Sequence, residues 1–182
     1  MAIAEKPVTA SDLLRMPDDG FRYELVRGVL RWRSLAGQRH GAVTANVAVS
    51  LGMYVSQQGL GRTYAAGTGF VLTRDPDTVL APNVDFVRKE RLSNLEPEGY
   101  FPGSPDLAVE VIDSDDLYIE VEEKVAEWLD AGTRLVAVVS PQQQTVKVQR
   151  SLKDISVLTE DDVLDGGEVV PGWQLPVEEI FE

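Results

Sequence analysis

The chain of 182 residues contains no cysteine and one histidine, His40. The first absence removes disulfides, thiolate zinc sites and cysteine nucleophiles together, and the second removes any metal centre built from several imidazoles. No apolar run approaches the length that spans a bilayer, and the N-terminal MAIAEKPVTASDLL lacks the basic start and long apolar core of a secretory signal. A cytoplasmic location without a membrane partner is therefore the expectation. Positive charge is also scarce. Against 30 Asp and Glu stand 17 Lys and Arg, a net charge of −13, which argues against binding polyanions through the surface at large. The basic residues are unevenly placed, however: Arg22, Arg27, Arg31, Arg33 and Arg39 precede His40 with only Glu24 among them, while residues 160–182 hold eight acids and no Lys or Arg. Two readings of the arginines stand, a local basic face or charges that alternate out of a strand into water.

With 43% hydrophobic residues, the chain has an ordinary globular composition, and its length suits a single domain over residues 1–182. In TASDLLRMP, Thr9 three residues before Asp12 predicts a capped short helix that Pro17 stops. FRYELVRGVLRWRS alternates on both sides of Arg27-Gly28 and predicts a hairpin. From Gln38 the period becomes helical, with His40, Val43, Val47, Leu51 and Tyr54 on one stripe and an end before Gly59. RTYAAGTGFVLT supplies two short strands, TVLAPNVDFVRK one more, and PDLAVEVI the next. A helix from Asp116 to Ala131, closed by Gly132, leads into the apolar strand RLVAVVS. The tail alternates short strands, TVKVQR and ISVLT, and ends in a helical turn at PVEEIF. Strand, helix and strand between residues 106 and 139 imply a right-handed crossover in a mixed sheet, so the class is α/β or α+β.

Three segments carry candidate chemistry. In GSPDLAVEVIDSDD the strand pleat puts Leu107, Val109 and Val111 on one face and Asp106, Ala108, Glu110 and Ile112 on the other. An ionised carboxylate buried there needs a metal, a cation, donor N–H groups or a wet cleft. The following helix has an apolar stripe of Leu117, Val121, Trp128 and Ala131 with Lys124 on the same line, a cation that asks for an anionic partner such as Glu110. In APNVDFVRK, Asn83 and Asp85 share a strand face. Oxygen ligands of this kind, without Cys or several His, suit a hard cation such as Mg²⁺ or Mn²⁺, and a carboxylate-bound ion beside a lysine is equipment for attacking a phosphodiester.

The blocks YELVRG, His40, APNVDFVRKERL, SPDLAVEVIDSDD and EEKVAEWLDAGTRLVAVV, in that order, closely resemble the Uma-type (Uma two) family of restriction endonucleases, over nearly the whole chain from about Thr9 to Phe181. The resemblance implies the PD-(D/E)XK nuclease fold, a mixed sheet flanked by helices. It also implies a Mg²⁺- or Mn²⁺-dependent endonuclease acting on DNA phosphodiesters, and a homodimer. It carries Glu110 over as the acid of the (D/E)XK element. The usual lysine two residues later is Ile112 here, and its role passes to Lys124 on the next helix. Glu24 and His40 match recurrent positions that line the cleft, and Ser114 matches a recurrent serine. The catalytic set so implied is Glu110, Lys124, Asn83, Glu24 and His40, with Asn83, Glu110 and Asp85 as metal ligands.

Each residue also has a plainer reading. Glu110 with Lys124 makes a structural ion pair, Asp106 caps N–H groups at a strand start, His40 hydrogen-bonds within a core stripe, Glu24 pairs with Arg22 or Arg39, and Asp85 is a solvated strand residue. Position 83 departs from the family, whose Pro-Asp is here Pro82-Asn83. An amide oxygen brings no negative charge, so metal affinity falls; Asp85 faces the same way but lies roughly 6.6 Å further along the strand. A degenerate nuclease fold that binds nucleic acid or a protein without cutting is the alternative.

Overall fold

The computed structural model describes residues 7–182 except 18, 34, 94, 97, 114 and 115, and of Arg33 the backbone alone. Helix α1 (Ala10–Leu13) begins at the predicted capping box, in which Thr9 and Asp12 each accept the other's backbone N–H. Strands β1 (Arg22–Val26) and β2 (Val29–Arg33) form the hairpin. Its tight turn takes Arg27 and Gly28 to φ of 51° and 76°, the left-handed pair that matches strand twist. Helix α2 (Gln38–Gln58) stops at Gly59, which is left-handed, and buries Val43, Val47, Leu51 and Val55.

After β3 (Gly61–Arg62) and β4 (Phe70–Thr73), the segment TVLAPNVDFVRK is two strands rather than the expected one. β5 (Thr78–Leu80) joins a five-stranded sheet of order β2-β1-β5-β4 followed by the short β7 (Phe101–Pro102). β6 (Val84–Arg88) joins the other sheet. The break falls at residues 81–83, where Pro82 has no N–H to give a ladder.

The second sheet is mixed. β8 (Leu107–Val111) and β9 (Leu135–Ser140) run parallel at its centre, joined by α3 (Tyr118–Asp130), as the crossover pattern predicted. β6 and then β3 flank β8, while β10 (Thr145–Gln149) and β11 (Ile155–Leu158) flank β9, all antiparallel. A two-stranded unit of β12 (Val163–Asp165) and β13 (Gln174–Pro176), which the sequence patterns do not announce, precedes α4 (Val177–Phe181). The class is thus mixed α/β. No helix among the described residues is long and apolar enough to cross a membrane.

Every side chain of β8 and β9 is buried, because each face of the sheet is covered. Leu107, Val109 and Val111 pack with α2 and with Leu164, Trp173 and Ile180 of the tail. Ala108 and Val136 on the opposite face pack with Val125 and Trp128 of α3 and with Phe70, Leu80 and Phe101 of the five-stranded sheet. Helix α3 therefore bridges the two sheets. Its buried residues are Val125 and Trp128, not the whole expected stripe; Leu117 sits at the N-cap and is exposed, since the helix starts later than the sequence pattern implies.

Asp85 corrects a second expectation. It pairs with Ala108 in the centre of the sheet, is 1% exposed, and accepts the Tyr64 N–H at 3.1 Å. It is thus neither a solvated strand residue nor a neighbour of Asn83 in one ligand shell. Burial pushes its carboxyl up to about 7, only partly offset by the Tyr64 N–H. The sign follows from linkage: an acid held above its unfolded range near 4 favours folding at low pH, and that contribution is lost as pH rises through about 7. Across this window the loss is on the order of 4 kcal/mol at most. Asp85→Asn keeps an acceptor for Tyr64 and removes the titration. Urea unfolding at pH 5 and pH 8 is expected to show the variant gaining stability relative to wild type by about 2 kcal/mol at the higher pH; an unchanged difference between the two pH values would contradict the buried carboxyl.

Candidate active site

The pleat of β8 turns Glu110 toward α3, on the same face as Asp106 and Ala108. On α3, Lys124 and Trp128 are one turn apart and present their polar ends to the same carboxylate. Trp128 Nε1–H donates to Glu110 Oε1 at 2.7 Å, and Lys124 Nζ donates to Glu110 Oε2 at 3.1 Å. The ammonium also lies 2.9 Å from Glu24 Oε1, on β1, and 3.3 Å from the Ala81 carbonyl. Glu24 Oε1 in turn accepts the Ala81 N–H at 2.8 Å. Residue 81, where the strand breaks, thus gives its N–H to the carboxylate and its carbonyl to the ammonium of one ion pair.

The three charged side chains are only 9–13% exposed. Burial pushes Lys124 down, but the Glu110 and Glu24 carboxylates outweigh it and hold the ammonium above its ordinary range. Burial pushes Glu110 up, and the Glu24 charge adds to it; Lys124 and the Trp128 N–H pull the other way without cancelling the rise. One ammonium between two carboxylates leaves an excess negative charge, which accounts for the lysine staying charged while a carboxyl is raised.

Asn83 closes the other side. Its Oδ1 accepts the Val111 N–H at 2.8 Å, and its Nδ2 lies 3.3 Å from His40 Nε2. A backbone N–H only donates, so the amide orientation is fixed with its NH₂ toward the histidine. His40 Nε2 is then the acceptor, which puts the ring proton on Nδ1, near Thr44 Oγ1 at 3.5 Å. Glu24, His40, Asn83, Glu110 and Lys124 all line one cleft of about 820 Å³. The first turn of α2, from Gly37, opens onto it.

Five of the residues singled out in the sequence therefore meet. Glu24 pairs with Lys124, not with Arg22 or Arg39. Asp85 is not among the residues lining the cleft; it is buried and takes the Tyr64 N–H. Asp106 lies at the far end of β8, where it accepts the Arg88 N–H and an Arg91 guanidinium, each at 2.9 Å, and so caps a strand start. Ser114 and the Arg33 side chain lie outside the described residues. The polar role of Trp128 was not anticipated; its place one turn after Lys124 was the available signal.

These residues do not fit a resident divalent ion. Both Glu110 oxygens are engaged, Glu24 Oε1 is engaged twice, and Asn83 turns its oxygen to Val111. The position among the Glu24, Glu110 and Ala81 oxygens is filled by the Lys124 ammonium. Among the described residues no group of three His, Cys, Asp or Glu is arranged to hold a metal. Lys124→Met is expected to lower stability by roughly 3 kcal/mol because it leaves buried carboxylates without their cation. Adding Glu110→Gln should recover part of that loss. Chemical denaturation at pH 7 reads both, and a loss below about 1 kcal/mol would mean the trio is far better solvated than its burial indicates.

Comparison with solved structures finds the same fold in a crystal structure described as a putative nuclease belonging to DUF820 from Anabaena variabilis. The TM-score is 0.83 at 19% identity, over 96% of this chain and 98% of that one. No curated protein matches the chain. Among protein families, residues 10–178, from α1 into α4, match Uma2, described as a putative restriction endonuclease. A match over that span places the whole cleft within the matched region, and the chain belongs to the Uma2 family.

Proposed function

We propose that this protein is a DNA-directed endonuclease of the PD-(D/E)XK type, built as one unit, whose centre is weakened by the amide at position 83. The observation that carries this reading is the buried Lys124 held against Glu110 and Glu24 on the floor of an open cleft. A structural ion pair is ordinarily no more stable than an apolar substitute, so a charged trio facing a cleft suits a chemical role. Glu110 takes the place of the family's acid and Lys124 that of its lysine. Arg22 on the cleft lining is the cation open to a phosphate, since Glu110 and Glu24 already outweigh the charge of Lys124. Hydrolysis of this type would draw on Mg²⁺ or Mn²⁺, which would polarise a water and neutralise developing charge. The donor set here falls short of holding that ion, so cleavage is expected to be slow.

The second reading, DNA binding without cleavage, is favoured by the two hydrogen bonds that commit the Asn83 amide. Nicking of supercoiled plasmid with Mn²⁺ separates the two. The expected outcome is slow nicking by wild type, loss with Glu110→Ala, and a gain of about tenfold or more with Asn83→Asp, which puts a charged oxygen where the NH₂ now points. Equal nicking by wild type and Glu110→Ala would remove this centre from the reaction. No nicking by any variant, with DNA binding that weakens as salt rises, would leave the binding reading alone.

A further inference from the structure

The rim of the cleft is aromatic where its floor is charged. Tyr23 and Trp32 are cross-strand partners at the open end of the β1–β2 hairpin, and Phe21 immediately precedes β1. The Phe21 and Trp32 rings meet edge to face, with centroids 5.1 Å apart and planes at 74°. The edge contact orients the indole. Both rings remain largely in water, Trp32 at 62% and Phe21 at 46% exposed, whereas Trp128 and Trp173 are buried. All three aromatics line the cleft that contains Glu24, Lys124 and Glu110, and exposed Arg22 stands on the same rim.

Size and charge narrow what this rim receives. A concavity of about 820 Å³ is of the class that encloses a drug-sized molecule. That is room for one or two nucleotides and far too little for the width of a duplex. Two other arginines of the basic stretch are already engaged, since Arg31 and Arg27 are each held at 3.0 Å by α3 carboxylates, Glu123 and Glu127. An exposed indole supported by a second ring, with an arginine elsewhere on the same cleft lining, suits an unstacked base and an adjoining phosphate.

We propose that the Phe21–Trp32 pair is a stacking platform, so that the cleft takes unpaired DNA, single-stranded or locally opened, with one base lying on Trp32 and its phosphate turned toward Arg22. This rests on the DNA-directed reading of the site but not on cleavage. A duplex must first unstack a base, at a cost of a few kcal/mol, so single strands bind better.

Trp32 is the exposed one of three tryptophans, so its fluorescence reports directly on the platform. Short oligothymidylate is titrated into the full chain in EDTA, where metal-dependent cleavage does not intervene, with anisotropy of labelled oligonucleotide as the second readout. The expected result is saturable quenching, about tenfold weaker binding of a duplex of the same length, and a roughly 10- to 100-fold loss of affinity in Trp32→Ala. Trp32→Phe, which keeps a stacking face, should retain most of the affinity, and Phe21→Ala should weaken binding in the same direction. Equal affinity in wild type and Trp32→Ala, a preference for duplex, or no oligonucleotide binding would overturn the proposal. The two readings fail separately: Trp32-dependent binding without nicking removes catalysis alone, and nicking indifferent to Trp32→Ala removes the platform alone.

Discussion

The ammonium of Lys124 is the point on which the site depends. It is reached by Glu24 from one sheet, Glu110 from the other and the Ala81 carbonyl from the break between β5 and β6, while its own helix packs Trp128 beneath. A single charge thus fixes the relative placement of two sheets and α3. The arrangement is costly, because each ion gives up water, and it holds together only because every oxygen facing the ammonium answers with a hydrogen bond. Apolar packing on either side of β8 supplies the stability that this polar core draws on.

Asn83 shows how far one atom changes such a site. A carboxylate there would offer an anionic oxygen beside His40 after meeting the Val111 N–H. The amide offers a donor instead, and the histidine takes the complementary tautomer. Two carboxylates and one ammonium then carry the charge of the floor. The result is a cleft with a nuclease family's outline and a less anionic centre, which is why binding and cleavage have to be considered separately.

The charge of the surface leads to the same separation. Of the hairpin arginines whose side chains are described, Arg27 and Arg31 are tied to α3 and Arg22 alone lines the cleft. Long-range attraction of a polyanion is correspondingly weak for a chain of net charge −13. On the proposed DNA-directed function, recognition falls to short-range contacts, and the exposed aromatic pair at the rim is the part of the cleft best suited to them.

Periodicity was enough to read the hairpin, α2, the β8–α3–β9 crossover and the shared face of Asp106 and Glu110, because strand and helix repeats report which side chains point the same way. The oddity of a lysine in an apolar stripe likewise announced its pairing with Glu110 before any packing was known. Periodicity does not report what lies opposite a face. That Glu24 reaches Lys124 rather than an arginine depends on two sheets meeting across α3. That Asp85 is buried, though it shares a face with Asn83, depends on its place within the packed sheet, where it takes the Tyr64 N–H, while Asn83 opens onto the cleft. The break at Pro82 and the hydrogen bond from Trp128 belong to the same class. The sequence by itself determined the elements and the chemical identity of the residues near the cleft; the tertiary structure decided which of them touch and which are sealed from water, since burial and partnership arise only when separate segments pack.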